Sequence, residues 1–299
     1  MRSNSTLKRL GFSRNDRVLI IHADDIGMCE ASVSAYAALH ESGLKFAGST
    51  MTPCSWFPHA AAYCRANPTA DMGVHITLTC EWNTYRWGPL STRDADSGLQ
   101  DDEGYLPRST GDVHAHADPT VAAREMQAQV DRAIRAGIRI THIDYHMGIV
   151  LHPKFMELYL QLGLRHGVPL VLTPRHTEPV LARMADATPV TALQHRLDDL
   201  DDLGLLPIDH EMGLPLDVEG DHADHLAVAK RTFAALQPGI TQFILHPSTD
   251  TPELRAIAPD WRARVENLRV FLQDDLRSEL RRLGIQVIGY RDLMLTRGM

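Results

Sequence analysis

The chain has no apolar run approaching the roughly 18 residues of a membrane-spanning helix, which excludes a span of that kind. It has no CxxC pair. Its four cysteines, Cys29, Cys54, Cys64 and Cys80, stand apart, excluding a zinc-finger or dithiol motif and reading as reduced thiols of a cytoplasmic protein. Nor does it have an excess of positive charge. The formal net charge is −8 with acids and bases interspersed, which argues against a nucleic-acid surface. Residues 1–16 carry bases but no apolar stretch, so they do not read as a signal peptide. There is no internal repeat and no low-complexity tract, and the 299 residues are read as a single catalytic domain. What is plentiful is histidine. Sixteen of them stand in the chain, and because imidazole is the commonest metal ligand their placement matters.

Short Val/Ile/Leu-rich segments alternate with helical ones. Strands are expected at 17–23, 45–51, 71–78, 139–145, 168–173, 240–246 and 285–290. Helices are expected at 30–43, 58–67, 120–137 and 153–167, with one long amphipathic helix over about 259–283. Near-continuous apolar strands separated by helices mean a parallel sheet buried on both faces, and about seven such units suggest an α/β barrel. Between 80 and 118 lies a long polar segment holding Trp82, Tyr85, Trp87 and Tyr105. Loops of that length in a compact domain are usually functional, and its aromatics favour a substrate lid over disorder. Residues 176–223 give no clear pattern.

The strand ends carry the chemistry. The first closes on His22, Asp24 and Asp25; the third carries His75; the fourth gives His142, Asp144 and His146; a later one closes on His246. In a parallel barrel every strand points its C-terminal end to one face, where active sites sit. One aspartate and two histidines suit a divalent ion with an open position, and Asp25, His75 and His146 are assigned to it, with zinc ahead of magnesium. Asp24 is then free to act as general base and His246 to protonate the leaving group. Each residue also has a plainer reading. Adjacent aspartates can start a loop or cap a helix, and His75 and His142 can be hydrogen-bonded core residues. His222 and His225 read as a solvated loop and helix start. The metal assignment rests on the convergence of the four segments.

The motifs LIIHADDIG, GVHITLT, THIDYHMGIVLHP, FILHPS and GYRDL, in that order, resemble those of the YdjC-like carbohydrate deacetylase family over about residues 17–295. That family is similar to polysaccharide deacetylases, so the resemblance implies a distorted (β/α) barrel of about seven strands. It also implies removal of acetyl groups from N-acetylated sugars by a metal-bound water. Carried over, it makes Asp24 the base, Asp25, His75 and His146 the metal ligands, and His246 the acid. Two departures bear on the substrate: Met147-Gly148 replaces the family's Gln-His, and Ser248 replaces a glycine. Trp82, Arg86 and Trp87, near the expected mouth, suit a sugar face and an acidic substituent. The partners implied are a small-molecule or oligosaccharide substrate, no nucleic acid and no membrane, with a homodimer left open. Two other readings stay open: a barrel metal hydrolase of another amide or ester, and a non-catalytic, metal-bearing sugar-binding protein.

Overall fold

The computed structural model describes residues 5–173, 189–218 and 220–295. In chain order its elements are α1 (Ser5–Arg9), β1 (Arg17–Ile26), α2 (Glu30–Glu41), β2 (Ala47–Thr50), α3 (Phe57–Ala66) and β3 (Asp71–Ile76). Next come α4 (Thr110–His116), α5 (Pro119–Arg135), β4 (Ile143–Tyr145), α6 (Pro153–His166), α7 (Pro189–Asp202) and β5 (His210–Gly213). The last are α8 (His222–Ala234), β6 (Gly239–Leu245), α9 (Pro252–Ile257), α10 (Trp261–Leu272), α11 (Asp274–Arg282), β7 (Gln286–Ile288) and α12 (Tyr290–Leu295).

All strand pairs are parallel, in the order β4-β3-β2-β1-β6-β5. β1 is the centre. β6 runs along one edge from Arg17 to Ala23, so the other edge is shared: β7 takes Val18–Ile20 and β2 takes over from His22. Among the described residues β4 and β5 do not pair, and the sheet is a curled, open α/β barrel, as the sequence implied. Helices cover it, which is why Val18 through Cys29 are all buried and why β1 reads as an unbroken apolar run until its end. No helix among the described residues is long and apolar enough to cross a membrane.

Two expectations fail locally, and one strand was not foreseen. Residues 168–173 form no strand, only an isolated parallel bridge between Ile143 and Leu170. β5 was not foreseen, because HEMG is a short, half-exposed segment without an apolar run. The expected helix over 259–283 is two helices, broken at an extended Gln273 (φ −83°, ψ 141°). Asp274 and Asp275 then fill the first turn of α11, where acids favour a new helix start. Of the illegible stretch, residues 176–188 and residue 219 lie outside the described residues, as do 174 and 175 before it.

The 80–118 segment is packed, not loose. It contains α4 and a single helical turn at Ala95–Ser97. α5 starts sharply, its cap Asp118 accepting from the backbone N–H groups of Thr120 and Val121 with Pro119 in the first turn. The helix then holds the segment, and the chain that leads into it from β3, with two buried polar side chains. Glu125 accepts from the backbone of Leu90 and Ser91 and from the Ser91 hydroxyl. Gln129 brackets Thr77, accepting from its N–H at 2.9 Å and donating to its C=O at 2.7 Å. Backbone groups outside regular structure need partners, and these two side chains supply them at Thr77, Leu90 and Ser91.

Candidate active site

Along a strand, neighbouring side chains point to opposite faces, so Asp24 and Asp25 should part company. They do not, because Asp25 adopts a left-handed backbone (φ +63°) and the β1–β2 register slips between Ala23 and Ile26. Aspartate is one of the few residues that tolerate this conformation. The bulge turns both carboxylates into one cleft of about 790 Å³ at the C-terminal mouth of the barrel, bordered also by His75, Glu81, His146 and His246.

Three donor atoms meet there, each fixed from behind. Asp25 Oδ2 accepts from the buried Arg264 guanidinium at 2.8 Å. Its Oδ1 is buried without a hydrogen-bond partner and faces His75 Nε2 at 3.5 Å and His146 Nδ1 at 3.2 Å. The Ser49 hydroxyl donates to Asp144 at 2.8 Å, so its oxygen accepts from His75 Nδ1–H at 3.0 Å. Asp144 Oδ1 also stands 2.9 Å from that nitrogen. The proton of His75 is therefore on Nδ1 and its lone pair is on Nε2. His146 is set the other way round: its Nε2–H points between both oxygens of Glu81, each at 3.1 Å, leaving the Nδ1 lone pair free. Two imidazole lone pairs and one orphan carboxylate oxygen converging on a point fit a divalent cation, with outer partners of the kind that orient metal ligands.

The surrounding carboxylates make the site anionic, so it draws positive charge, whether proton or cation, to the two rings. Burial alone would raise Asp25, but His146 and Arg264 outweigh it and hold the carboxyl well below the usual range. Burial opposes charge on His146, yet Glu81 and Asp25 raise it well above an ordinary histidine. His75 is raised against burial by Asp144. His246 goes the other way: burial lowers it, and the nearby Asp25 and Asp24 offset this only in part. Its Nε2 is 3.9 Å from Asp24 Oδ2, its Nδ1 is unpartnered, and its backbone N–H is held by Asn267 at 2.9 Å. Arg264 and Asn267 are one turn apart on α10, so one buried helix face supports both Asp25 and His246.

The structure thus brings together Asp24, Asp25, His75, His146 and His246. Trp82 borders the same cleft, under the Arg264 guanidinium at 5.6 Å. Arg86 and Trp87 do not border it. Arg86 is spent inside the 80–118 segment on Asp101 at 2.6 Å and the Leu106 carbonyl at 3.0 Å, and Trp87 donates to the Thr79 carbonyl at 2.9 Å. Met147 lies at the rim, 57% exposed with a left-handed backbone. His222 does open α8, but His225 is buried, not solvated. Sequence reasoning missed the parts played by Arg264, Asn267, Ser49 and Glu81. A signal existed for two of them. Arg264, Asn267, Leu268 and Phe271 follow i, i+3, i+4, i+7 spacing, which puts Arg264 and Asn267 on an apolar stripe.

Among known proteins, this chain is 34% identical over 268 residues to a carbohydrate deacetylase of Thermus thermophilus, covering 86% of this chain and 87% of that one. It is 27% identical to a carbohydrate deacetylase of Geobacillus stearothermophilus, covering 92% and 98%. In fold it is similar to the crystal structure of a proposed cellobiose-phosphate cleavage protein from Enterococcus faecalis. That match has a TM-score of 0.73 at 20% identity and covers 93% of this chain and 99% of that one. The sequence profile of YdjC-like proteins matches residues 18–282, and with the ordered motifs and the relatives above, this chain belongs to the YdjC-like family.

Proposed function

We propose that the protein is a metal-dependent carbohydrate N-deacetylase, releasing acetate and a free amino sugar. The observation that carries this is the convergence of Asp25 Oδ1, His75 Nε2 and His146 Nδ1 on one point of an open cleft, flanked by Asp24 and His246. The carbohydrate deacetylase names of the Thermus and Geobacillus relatives support the substrate class. A divalent ion held there, zinc ahead of magnesium by donor type, supplies Lewis acidity that makes a water nucleophilic near neutral pH and polarises the acetyl carbonyl.

The chain's own groups do the rest. Asp24 is not needed as a ligand and accepts the proton of the attacking water. Burial lowers the basicity of His246, whose Nε2 stands 3.9 Å from Asp24 Oδ2, which suits it to take that proton and pass it to the departing amine. Arg264 keeps Asp25 ionised and holds Oδ2 away from the donor point. Trp82 and Met147 border the sugar, in a cleft where the fixed wall comes from the 80–118 segment. A pure binding protein has no need of Asp24 or His246 in these positions.

The test is acetate release from a panel of N-acetylated mono- and oligosaccharides, after chelation and after zinc or magnesium is restored. Metal-dependent release from at least one sugar supports the reading. Equal release by the chelated protein, or hydrolysis of simple esters and no sugar amide, overturns it.

A further inference from the structure

Beneath the cleft lies a second buried group of histidines and acids that the proposed reaction does not use. We propose that His22 is a positioning residue for Asp24, held in place by a hydrogen-bond chain that runs down the barrel interior through His142 and Thr141 to Asp71. His22 Nδ1 stands 2.6 Å from Asp24 Oδ1, and His22 Nε2 stands 2.6 Å from His142 Nε2. His142 Nδ1 stands 3.0 Å from the Thr141 hydroxyl, which pairs with Asp71. Asp71 also accepts the backbone N–H of Arg291 at 3.0 Å. Both imidazoles are wholly buried. Asp71 is the first residue of β3, so the chain reaches the end of the barrel opposite His75.

The space for this chain is built. A Cβ on Gly73 would come within 2.5 Å of His142 Nε2, and a Cβ on Gly289 would run into the Asp71 carboxylate. Tyr290 stacks on the His142 ring, centroids 3.8 Å apart and planes 17° apart. Gly73 and the flat Tyr290 ring make room for His142, and Gly289 makes room for Asp71.

Proton counting gives the chain its direction. With Asp71 ionised, the Thr141 hydroxyl donates to it and accepts from His142 Nδ1–H, so His142 Nε2 is a lone pair. His22 Nε2–H fills that lone pair, and with Asp24 ionised, as a base must be, the short contact at the other nitrogen requires Nδ1–H as well. Moving one proton from His22 through His142 and Thr141 to Asp71 reverses every link and leaves the total unchanged. His22 Nδ1 still carries its hydrogen. Both arrangements clamp Asp24 Oδ1 and leave Oδ2, the oxygen nearer His246, for the water. Although His22, His142 and Asp144 are of ligand type, the two ring nitrogens satisfy each other and present nothing to an ion.

The kinetic arm of the test rests on the deacetylase reading; the spectroscopic arm does not. His22→Asn keeps a donor where Nδ1 stands, and His22→Leu fills the space without one. Metal content and KM should hold in both. The turnover number should fall about 10²-fold in His22→Leu, as for a misplaced catalytic group, but only several-fold in His22→Asn. Thr141→Val, which cuts the chain from Asp71, should cost about 10-fold with metal retained. A role in filling space alone would favour Leu, so Leu matching or exceeding Asn overturns the proposal. In wild-type protein, 15N spectra of the imidazoles should show His22 Nδ1 protonated at neutral pH, and an unprotonated Nδ1 also overturns it. If neither His22 variant folds, Thr141→Val and the spectra decide. If no sugar is deacetylated by the wild type, the functional reading falls while the spectra still judge the chain.

Discussion

Two buried clusters of histidine and aspartate lie one above the other on the same strands, and they are built to opposite rules. At the mouth, each outer nitrogen or oxygen of Asp25, His75 and His146 is satisfied by a neighbour, while the inner three are left facing one another. In the interior, His22 and His142 are satisfied by each other and by Asp24 and Thr141. Residue type is nearly the same in both. What separates a candidate metal centre from a structural chain is whether the lone pairs are orphaned or used.

The sharpest way to break this contrast is to exchange the two aspartates' duties. Asp25→Asn removes the only anionic donor, so metal should fall from about one equivalent to trace by elemental analysis, and turnover should vanish with it. Asn tolerates the left-handed backbone, so the fold should survive. His142→Gln in the interior should keep its metal; if it lost as much as Asp25→Asn, the clusters would not differ as argued. Asp24→Asn comes next, with metal retained and turnover down by roughly 10²–10⁴-fold, the usual share of a general base. Loss of metal in Asp24→Asn and retention in Asp25→Asn would swap the roles.

Glu81→Gln probes the outer support of His146. Competition with a chelator should show metal affinity about 10–100-fold weaker, because the ring loses the carboxylate that fixes it. A pH titration of metal binding tests the same support. Burial disfavours protons on His75 and His146, but the carboxylates around them win and raise both. Protons therefore compete more strongly than at a free histidine, and affinity should start to fall above about pH 6.5 as pH is lowered. A flat profile from pH 8 to 5 would mean that neither ring is a ligand. The smallest effect is expected from Met147→Gln at the exposed rim. Metal and melting temperature should stay put, with stability within about 0.5 kcal/mol, and only KM for the sugar should move.

Legibility in the sequence followed the backbone. β1 to β4 and the candidate ligands could be read because apolar runs mark strands and each run ends on the residues at issue. What escaped reading came from elsewhere in the chain. Arg264 reaches Asp25 from a helix 239 positions away, and only its place on an apolar stripe hinted at burial. Arg86 and Trp87 looked right for a sugar by type, but a long segment without strand neighbours must satisfy its own backbone, and it consumes them. Asp24 and Asp25 could be given separate proposed roles, but the conformation that brings them together could not be read; the bulge leaves no mark beyond the dipeptide itself.

The Arg264–Asp25 pair also ties the candidate site to the C-terminal part of the chain. A polypeptide emerging from its N-terminus has made Asp25, His75 and His146 long before α10 exists. Until that helix docks, Asp25 lacks its guanidinium and the His246 backbone lacks its Asn267 clamp. On the proposed metal reading, a product clipped before Trp261 would carry all three candidate ligands yet lack the support that aligns them.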